Sequence, residues 1–223
     1  MTPRELIGIA EVPGGAPLKL FQRGGDFMIT LERNELMSSR MSGSEVALGV
    51  MTCARLSKVA APKLLIGGYG MGFTLRAVLS ALSAKAQVIV AELVPEIIAW
   101  ARGPMQVLAG GCLDDRRVTL DLSDVAVLIK AGAGSYDAIL LDVDNGPDGL
   151  TRQANDGLYS AHGLANAKAA LKRGGILAIW SAAPDNAFAR RLAHAGFSVD
   201  EVRVRARENG KGPMHVIWFA KAP

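Results

Sequence analysis

From residue 63 onward, short runs of apolar residues alternate along the chain with segments of helical periodicity. Strands that are mostly apolar are typical of a parallel sheet with helices on both faces. The helical segments place apolar residues three or four positions apart, which gives each helix one buried face. The predicted strands are 64–66, 88–91, 118–122, 138–141 and 176–180; the predicted helices are 73–82, one opening at Pro95, 125–131, 155–171 (ended by Gly174-Gly175) and 185–195. This alternation predicts an α/β fold.

Two further strands, 197–204 and 215–220, close the pattern. The connection 208–213 between them is short and contains Asn209-Gly210, which favours an antiparallel hairpin over another crossover. Together the strands predict a doubly wound, mostly parallel seven-stranded sheet of Rossmann-like type.

The first forty residues follow a different pattern, in which short segments are separated by turn residues. The segments are 18–21, 26–31 and 35–37. They predict a small N-terminal β-region, a meander, over 1–42. A helical pattern at 46–56 then opens an α/β domain over 43–223, with Ser42 or Ser44 as its N-cap.

The length of 223 residues suits one domain, and half of the residues are apolar. No apolar run approaches the roughly 18 residues needed to span a bilayer, and the N-terminus lacks the apolar stretch of a signal peptide. Cys53 and Cys112 are in no motif spacing. A reduced, cytoplasmic setting without a membrane partner is therefore expected.

The net charge is +4, and the most basic stretch is 203–207, where arginine alternates with small or apolar residues. Such alternation is typical of a strand with one wet face; a stripe that binds anions or nucleic acid is the alternative. Interleaved aromatic residues would favour nucleic acid and none are present, so no nucleic-acid partner is expected.

A glycine loop lies between the first strand of the α/β pattern and its helix, with glycines at Gly67, Gly68, Gly70 and Gly72. Glycine permits positive φ and lets a ligand lie against bare backbone. The helix that follows presents unpaired N–H groups and the positive end of its dipole. A merely tight turn would use the same glycines, but the position directly after a strand favours nucleotide-like binding.

Acidic residues follow the next two strands. Glu92 comes 24 positions after Gly68 and could accept hydrogen bonds from both ribose hydroxyls; a helix N-cap or a solvated strand end is the alternative. Asp124, with Val125 beside it, could accept the adenine amino group, although it would also cap the following helix. These residues and the glycine loop are the candidate cofactor-binding site.

The fourth strand is followed by Asp142 and Asp144. Ligands of open α/β sheets bind beyond the carboxyl ends of the strands, so Asp142 is a candidate for cofactor binding and, with Asp144, for catalysis. Asp144 could instead organise the turn 145–147. Tyr159 is a candidate for orienting the acceptor, with a partly buried structural tyrosine as the alternative. His162 is expected on a helix surface, and no spacing of ligand residues predicts a metal site.

Taken together, these landmarks resemble the spermidine synthase family, within the class I S-adenosylmethionine-dependent methyltransferase fold. The resemblance covers most of the chain, including 64–72 and 136–142. It implies that Glu92 holds the ribose, Asp124 the adenine, and the backbone of 68–72 the amino-acid end of S-adenosylmethionine or its decarboxylated form. Because spermidine synthases commonly dimerise, the resemblance also implies a homodimer.

The polyamine motifs of that family are matched less well. Spermidine synthases have an Asp in the glycine loop where this chain has Gly70, and a second acid after strand four where it has Asn145. Ser44, before Glu45, stands at the His of the family's Tyr-His-Glu, and Met37 stands at a Gln. An Asp at position 70 would pair with the aminopropyl nitrogen and repel the carboxylate of S-adenosylmethionine. Its absence predicts the intact cofactor and methyl transfer.

The expected function is therefore methyl transfer to a small-molecule acceptor. The first alternative is a polyamine aminopropyltransferase whose missing acids are supplied by Asp144, Asp148 or Glu45, and the second is a cofactor-binding protein without turnover. An NAD-dependent dehydrogenase is disfavoured, because the third glycine follows the second by two residues rather than three and no catalytic His or Tyr-Lys pair is evident.

Overall fold

The computed structural model describes residues 3–143 and 156–223, which include a small antiparallel sheet with the order β1-β2-β3-β4. Its strands are β1 (Glu5–Ala10), β2 (Leu18–Arg23), β3 (Asp26–Leu31) and β4 (Asn34–Ser38). The predicted meander is confirmed, but β1 was not predicted. Gly8 interrupts the apolar pattern of β1. A glycine is needed there because of a tertiary contact: a Cβ at Gly8 would lie 2.6 Å from Nε1 of Trp100.

The larger sheet has seven strands in the order β10-β11-β9-β8-β5-β6-β7. They are β5 (Lys63–Gly67), β6 (Gln87–Ala91), β7 (Val118–Asp121), β8 (Tyr136–Leu141), β9 (Leu171–Ser181), β10 (Ser198–Arg205) and β11 (Met214–Lys221). Strands β5 to β9 pair in parallel, whereas β11 pairs antiparallel with both β9 and β10. The predicted α/β fold and its closing hairpin are confirmed.

The helices of the described residues connect these strands and pack on both faces of the larger sheet. They are α1 (Gly43–Arg55), α2 (Phe73–Ala81), α3 (Pro95–Arg102), α4 (Gln106–Ala109), α5 (Val125–Ala131), α6 (Asp156–Tyr159), α7 (Ala161–Ala170) and α8 (Asn186–His194). For α2, α5 and α8 the predicted bounds agree to within one residue, and α3 begins at Pro95 as predicted.

The predicted helix 155–171 is wrong, because the chain there forms two helices that are separated at Ser160. Ser160 has extended backbone, and its side chain accepts a hydrogen bond from the N–H of Gly163, so it caps α7. Gly174 and Gly175 lie inside β9 and do not end a helix. Gly174 has φ +74° where the register of β9 against β8 shifts, a conformation that favours glycine.

The predicted N-cap of α1 also needs correction. Ser42 occupies the cap position but makes no capping bond; its hydroxyl donates to the carboxylate of Glu208 at 3.0 Å. Ser44 lies inside the first turn and donates to the Glu45 carboxyl group at 2.7 Å. Both serines therefore make side-chain contacts instead of satisfying the backbone N–H groups of the helix.

Two buried apolar clusters cover opposite faces of the larger sheet. Leu64 and Ile66 of β5 belong to the cluster that also contains Leu20 and Ile29 of the small sheet, whereas Leu65 belongs to the other. Neighbouring residues of one strand thus face different cores, as a doubly covered sheet requires. The small sheet packs on the same core as the parallel strands, which places it beside their carboxyl ends.

The basic stretch is part of an edge strand, as its alternation predicted. Arg203 and Arg205 of β10 are exposed, while Val202 and Val204 pack against the core. Within 3–143 and 156–223, no helix combines the length and the apolar character needed to cross a bilayer.

Candidate active site

One cavity at the carboxyl ends of the parallel strands brings together most of the predicted site. The candidate residues that line it are Gly68, Gly70, Glu92, Asp124, Val125 and Asp142. They follow β5, β6, β7 and β8, whose carboxyl ends meet at one edge of the sheet. The small sheet contributes Leu36 and Met37 to the opposite wall.

The glycine loop turns through positive φ at Gly68 (83°), Gly70 (57°) and Gly72 (81°). These values favour glycine at each position. A Cβ at Gly68 would also lie 2.7 Å from the carbonyl oxygen of Asp142. The loop therefore presents main chain, without side chains, to the cavity at Gly68 and Gly70.

Two of the four predicted glycines, Gly67 and Gly72, do not line this cavity. A Cβ at Gly67 would press on Val125 at 3.0 Å, and a Cβ at Gly72 would lie 2.6 Å from the hydroxyl of Tyr69. Their observed contacts are packing contacts, and a direct contact with a cofactor stays a prediction for them.

Glu92 joins the end of β6 to the glycine loop. Its carboxyl oxygens accept hydrogen bonds from the backbone N–H groups of Tyr69 and Val94, both at 2.9 Å. Burial raises the pKa of Glu92, and these backbone donors act in the opposite direction. The backbone N–H groups of Gly70 and Leu93 also act on this carboxyl group, so a ligand hydroxyl would share oxygens that the main chain already contacts.

Asp124 is the N-cap of α5, as the alternative interpretation of its position predicted. One of its oxygens accepts a hydrogen bond from the N–H of Ala126 at 2.9 Å. The neighbouring Ser123 also lines the cavity, and its buried hydroxyl has no hydrogen-bond partner among the described residues. An unsatisfied buried hydroxyl is costly, so this part of the cavity is suited to a polar ligand group.

Asp142 and Glu45 line the cavity together and form what we call the acid pair. Asp142 accepts a hydrogen bond from the hydroxyl of Thr74 at 2.7 Å. Burial raises the pKa of Asp142 to about 6. Burial, and then repulsion by the charge on Asp142, raise the pKa of Glu45 to about 8. These shifts favour a single negative charge on the acid pair near neutral pH, with Asp142 the more readily ionised of the two carboxyl groups.

A buried histidine behind the acid pair was given no role from the sequence. His215 Nδ1 lies 2.9 Å from the hydroxyl of Ser44, which in turn contacts Glu45. His215 lies next to the start of a strand whose following five residues are apolar, 171 positions from Ser44. No local pattern in the sequence could have related the two.

Tyr159, another predicted catalytic residue, is not among the described residues that line the cavity. Asp144 falls outside the described residues. Tyr159 is buried at the end of α6, where its hydroxyl donates to the carbonyl of Val143 at 3.3 Å and its ring packs edge-on against Phe188. These contacts fit the structural alternative for Tyr159, and its role in orienting an acceptor stays a prediction.

The cavity wall is apolar where Met37 lies beside the glycine loop. A Cβ at Gly70 would lie 3.1 Å from Sδ of Met37. The described side chains that line the cavity include no Lys or Arg, and the acidic ones are Glu45, Glu92, Asp124 and Asp142. The described residues also contain no cluster of His, Cys, Asp and Glu that could hold a metal ion.

Solved structures similar to this chain include spermidine synthases. A spermidine synthase in complex with the transition-state analogue AdoDATO has 17% identity and a TM-score of 0.76, over 98% of this chain and 72% of that one. The spermidine synthase from Thermotoga maritima has 18% identity and a TM-score of 0.77, over 98% and 73%. At these identities the likeness shows the fold alone.

A methyltransferase shares the same fold more distantly. The CurJ carbon methyltransferase has 16% identity and a TM-score of 0.56, over 80% of this chain and 54% of that one. Spermidine synthases use decarboxylated S-adenosylmethionine and such methyltransferases use S-adenosylmethionine, which agrees with the cofactor expected from the sequence. Comparison with curated protein sequences finds no significant match.

The family is shown by a match of sequence. The family model for the spermine/spermidine synthase domain matches residues 48–187, more than half of the chain. That span contains the glycine loop, Glu92, Asp124 and Asp142, and the recognition made from those motifs is confirmed. This match agrees with the expectation that the chain is a transferase of the spermidine synthase and methyltransferase fold. The chain belongs to the spermine/spermidine synthase domain family.

Proposed function

We propose that this chain is an S-adenosylmethionine-dependent methyltransferase that acts on a small molecule. The observation that carries the proposal is the position of Met37 beside Gly70: a Cβ at Gly70 would lie 3.1 Å from Sδ of Met37. By the resemblance, these two residues stand where spermidine synthases have a Gln and an Asp. Neither residue bears a charge. An aminopropyl ammonium group placed there would meet a thioether instead of a carboxylate, and its charge would be poorly compensated.

The residues around the cavity fit an adenosyl cofactor. The bare backbone at Gly68 and Gly70, next to the N-terminus of α2, suits a carboxylate. Glu92 is the acceptor for ribose hydroxyls, and Asp124 is the acceptor for an adenine amino group. The unsatisfied hydroxyl of Ser123 offers a further partner at the same end.

When bound, S-adenosylmethionine supplies a methyl group on a sulfonium, which an oriented nucleophile takes directly. An amine or phenol acceptor must lose a proton, and ionised Asp142 is the residue that takes it. The hydrogen bond from Thr74 holds the Asp142 carboxylate in place. Glu45, which is neutral near pH 7, keeps the pair from carrying two negative charges before the transfer.

Calorimetric titration with the two sulfonium nucleosides tests the proposal. We expect S-adenosylmethionine to bind at least about tenfold more tightly than its decarboxylated form, a difference of about 1.4 kcal/mol. The double substitution Met37→Gln/Gly70→Asp should narrow or reverse this preference, because it adds a carboxylate opposite the aminopropyl group. The matched control is Met37→Gln/Gly70→Asn, which imposes similar strain at φ +57° without the charge. Preference of the unsubstituted chain for the decarboxylated form would overturn the proposal.

Aminopropyl transfer is the second candidate, and one observation favours it. The charged side chains among the described cavity residues are all acidic, which suits a dicationic cofactor and a polyamine. Incubation with decarboxylated S-adenosylmethionine and putrescine or spermidine separates the two candidates. Release of methylthioadenosine would identify aminopropyl transfer, whereas S-adenosylhomocysteine formed from the intact cofactor would identify methyl transfer.

A further inference from the structure

A chain of two hydrogen bonds leads from His215 to the acid pair. His215 Nδ1 lies 2.9 Å from Ser44 Oγ, and Ser44 Oγ donates to Glu45 Oε2 at 2.7 Å. When Glu45 is ionised its carboxylate can only accept, so the single proton of the Ser44 hydroxyl is donated to Glu45. Ser44 Oγ then accepts from Nδ1–H of His215, and both bonds point toward the Glu45 carboxylate.

The histidine is held firmly in this position. Its ring packs edge-on against Trp180, with the ring centroids 4.9 Å apart, and Trp180 itself lines the cavity. His215 is buried on β11, and Ser44 has no exposed surface. Burial lowers the pKa of His215, so the ring is a neutral donor near pH 7.

The groups that face Glu45 come from several elements. Asp142, after β8, raises the pKa of Glu45 by its charge, and Thr74 of α2 is polar but does not titrate in this range. Glu208, in the hairpin connection, accepts a hydrogen bond from the N-cap serine of α1. The Ser44 hydroxyl and the backbone N–H of Glu45 oppose burial and the charge of Asp142. His215 reaches Glu45 only through the Ser44 hydroxyl.

We propose that His215 is a positioning residue of the acid pair: through Ser44 it fixes the Glu45 carboxyl group beside Asp142 and favours its ionised form. An aligned pair of donors stabilises a carboxylate more than a carboxylic acid. His215 thereby sets the pH at which the acid pair takes its second negative charge. The inference rests on the proposed function only where catalytic activity is the readout.

Carboxyl ¹³C NMR of glutamate-labelled protein tests the inference without any turnover. Loss of one signal in Glu45→Gln assigns the resonance, and we expect its titration midpoint near pH 8. His215→Phe keeps the aromatic contact with Trp180 but removes the donor, so the midpoint should rise by about one pH unit. Ser44→Ala should raise it in the same way.

Two variants serve as controls. His215→Asn places an amide N–H near the position of Nδ1, and it should keep the midpoint of the unsubstituted protein. His194→Asn, at the exposed end of α8, removes a histidine far from the cavity and should also leave the midpoint unchanged. An unmoved Glu45 midpoint in Ser44→Ala and in folded His215→Phe would overturn the inference, and Ser44→Ala alone decides if His215→Phe does not fold.

Activity provides a second readout, because a purely structural role of His215 would not move the pH profile of kcat. The ionisation of Glu45 should produce a transition of kcat near pH 8 in the unsubstituted chain. In an active preparation of His215→Phe, this transition should move with the NMR midpoint. KM for S-adenosylmethionine should stay within about twofold. A changed KM with an unmoved pH profile would contradict the inference. If no methyl transfer is found but the NMR midpoint moves as expected, the proposed function fails and the role of His215 stands.

Discussion

At the scale of single residues, the three acids Asp142, Glu45 and Glu92 share a pKa raised by burial, and they differ in what compensates for it. Glu92 is compensated by backbone donors and Asp142 by one hydroxyl. Glu45 has the Ser44 hydroxyl but also faces the charge on Asp142. The shifts favour ionisation of Asp142 over Glu45, which is why we propose Asp142 as the base.

Replacement of that base tests its role directly. In Asp142→Asn we expect kcat to fall about 100-fold or more, because an amide cannot take the acceptor's proton, while Kd for S-adenosylmethionine changes only a few-fold. Asp114→Asn, at an exposed aspartate outside the cavity, is the control and should retain full activity. Equal activity in both variants would show that Asp142 is not the base.

The pH profile of the unsubstituted chain offers an independent check. Since Asp142 must be ionised to accept a proton, kcat should rise as the pH increases through about 6 and be lost as the pH falls below it. Steady-state rates measured across this range with saturating cofactor give the midpoint. A midpoint near 4, typical of an exposed aspartate, would show that burial does not tune the base.

Some residues of the site could be predicted from the sequence and others could not. Glu92, Asp124 and Asp142 each follow an apolar strand, and parallel strands bring their carboxyl ends to one edge, so local pattern and topology together predicted their convergence. Ser44 of α1 and His215 of β11 meet only because β11 pairs antiparallel with β9, which brings His215 to the start of α1. That contact depends on tertiary packing, which no periodicity in the sequence reports.

At the scale of elements, the errors of prediction fall where side chains or glycines interrupt a regular pattern. Residues 155–171 have continuous helical composition, but the cap at Ser160 starts a new helix. The strand β9 continues through Gly174 and Gly175, which have turn composition, because the register of its pairing with β8 shifts there. The strand β1 was missed because Gly8 accommodates Trp100. In each case a contact made in the folded protein overrides the local propensity.

The caps themselves can be ranked by experiment. Asp185 accepts hydrogen bonds from two backbone N–H groups at the start of α8, so Asp185→Ala should lower the free energy of unfolding by about 1 kcal/mol. Ser42→Ala should cost clearly less, because Ser42 caps nothing and its bond goes to an exposed carboxylate. Urea denaturation of the two variants checks the order, and an equal or larger loss for Ser42→Ala would contradict the assignment.

At the scale of the whole molecule, the site exists because the small sheet and the parallel sheet share one core. The parallel strands supply the glycine loop and the acids, while Met37 of the small sheet closes the opposite wall. The division into 1–42 and 43–223 remains a proposal about architecture, since the two parts are packed together.

The proposed function requires that the glycine loop, Glu92 and Asp124 bind a single adenosyl group. A crystal structure of the chain with S-adenosylhomocysteine tests it most directly. We expect the ribose hydroxyls within hydrogen-bond distance of Glu92, the adenine beside Asp124 and Ser123, and the carboxylate against the backbone of 68–72. Nucleoside density in another cavity, or contacts to only one of these groups, would contradict the account.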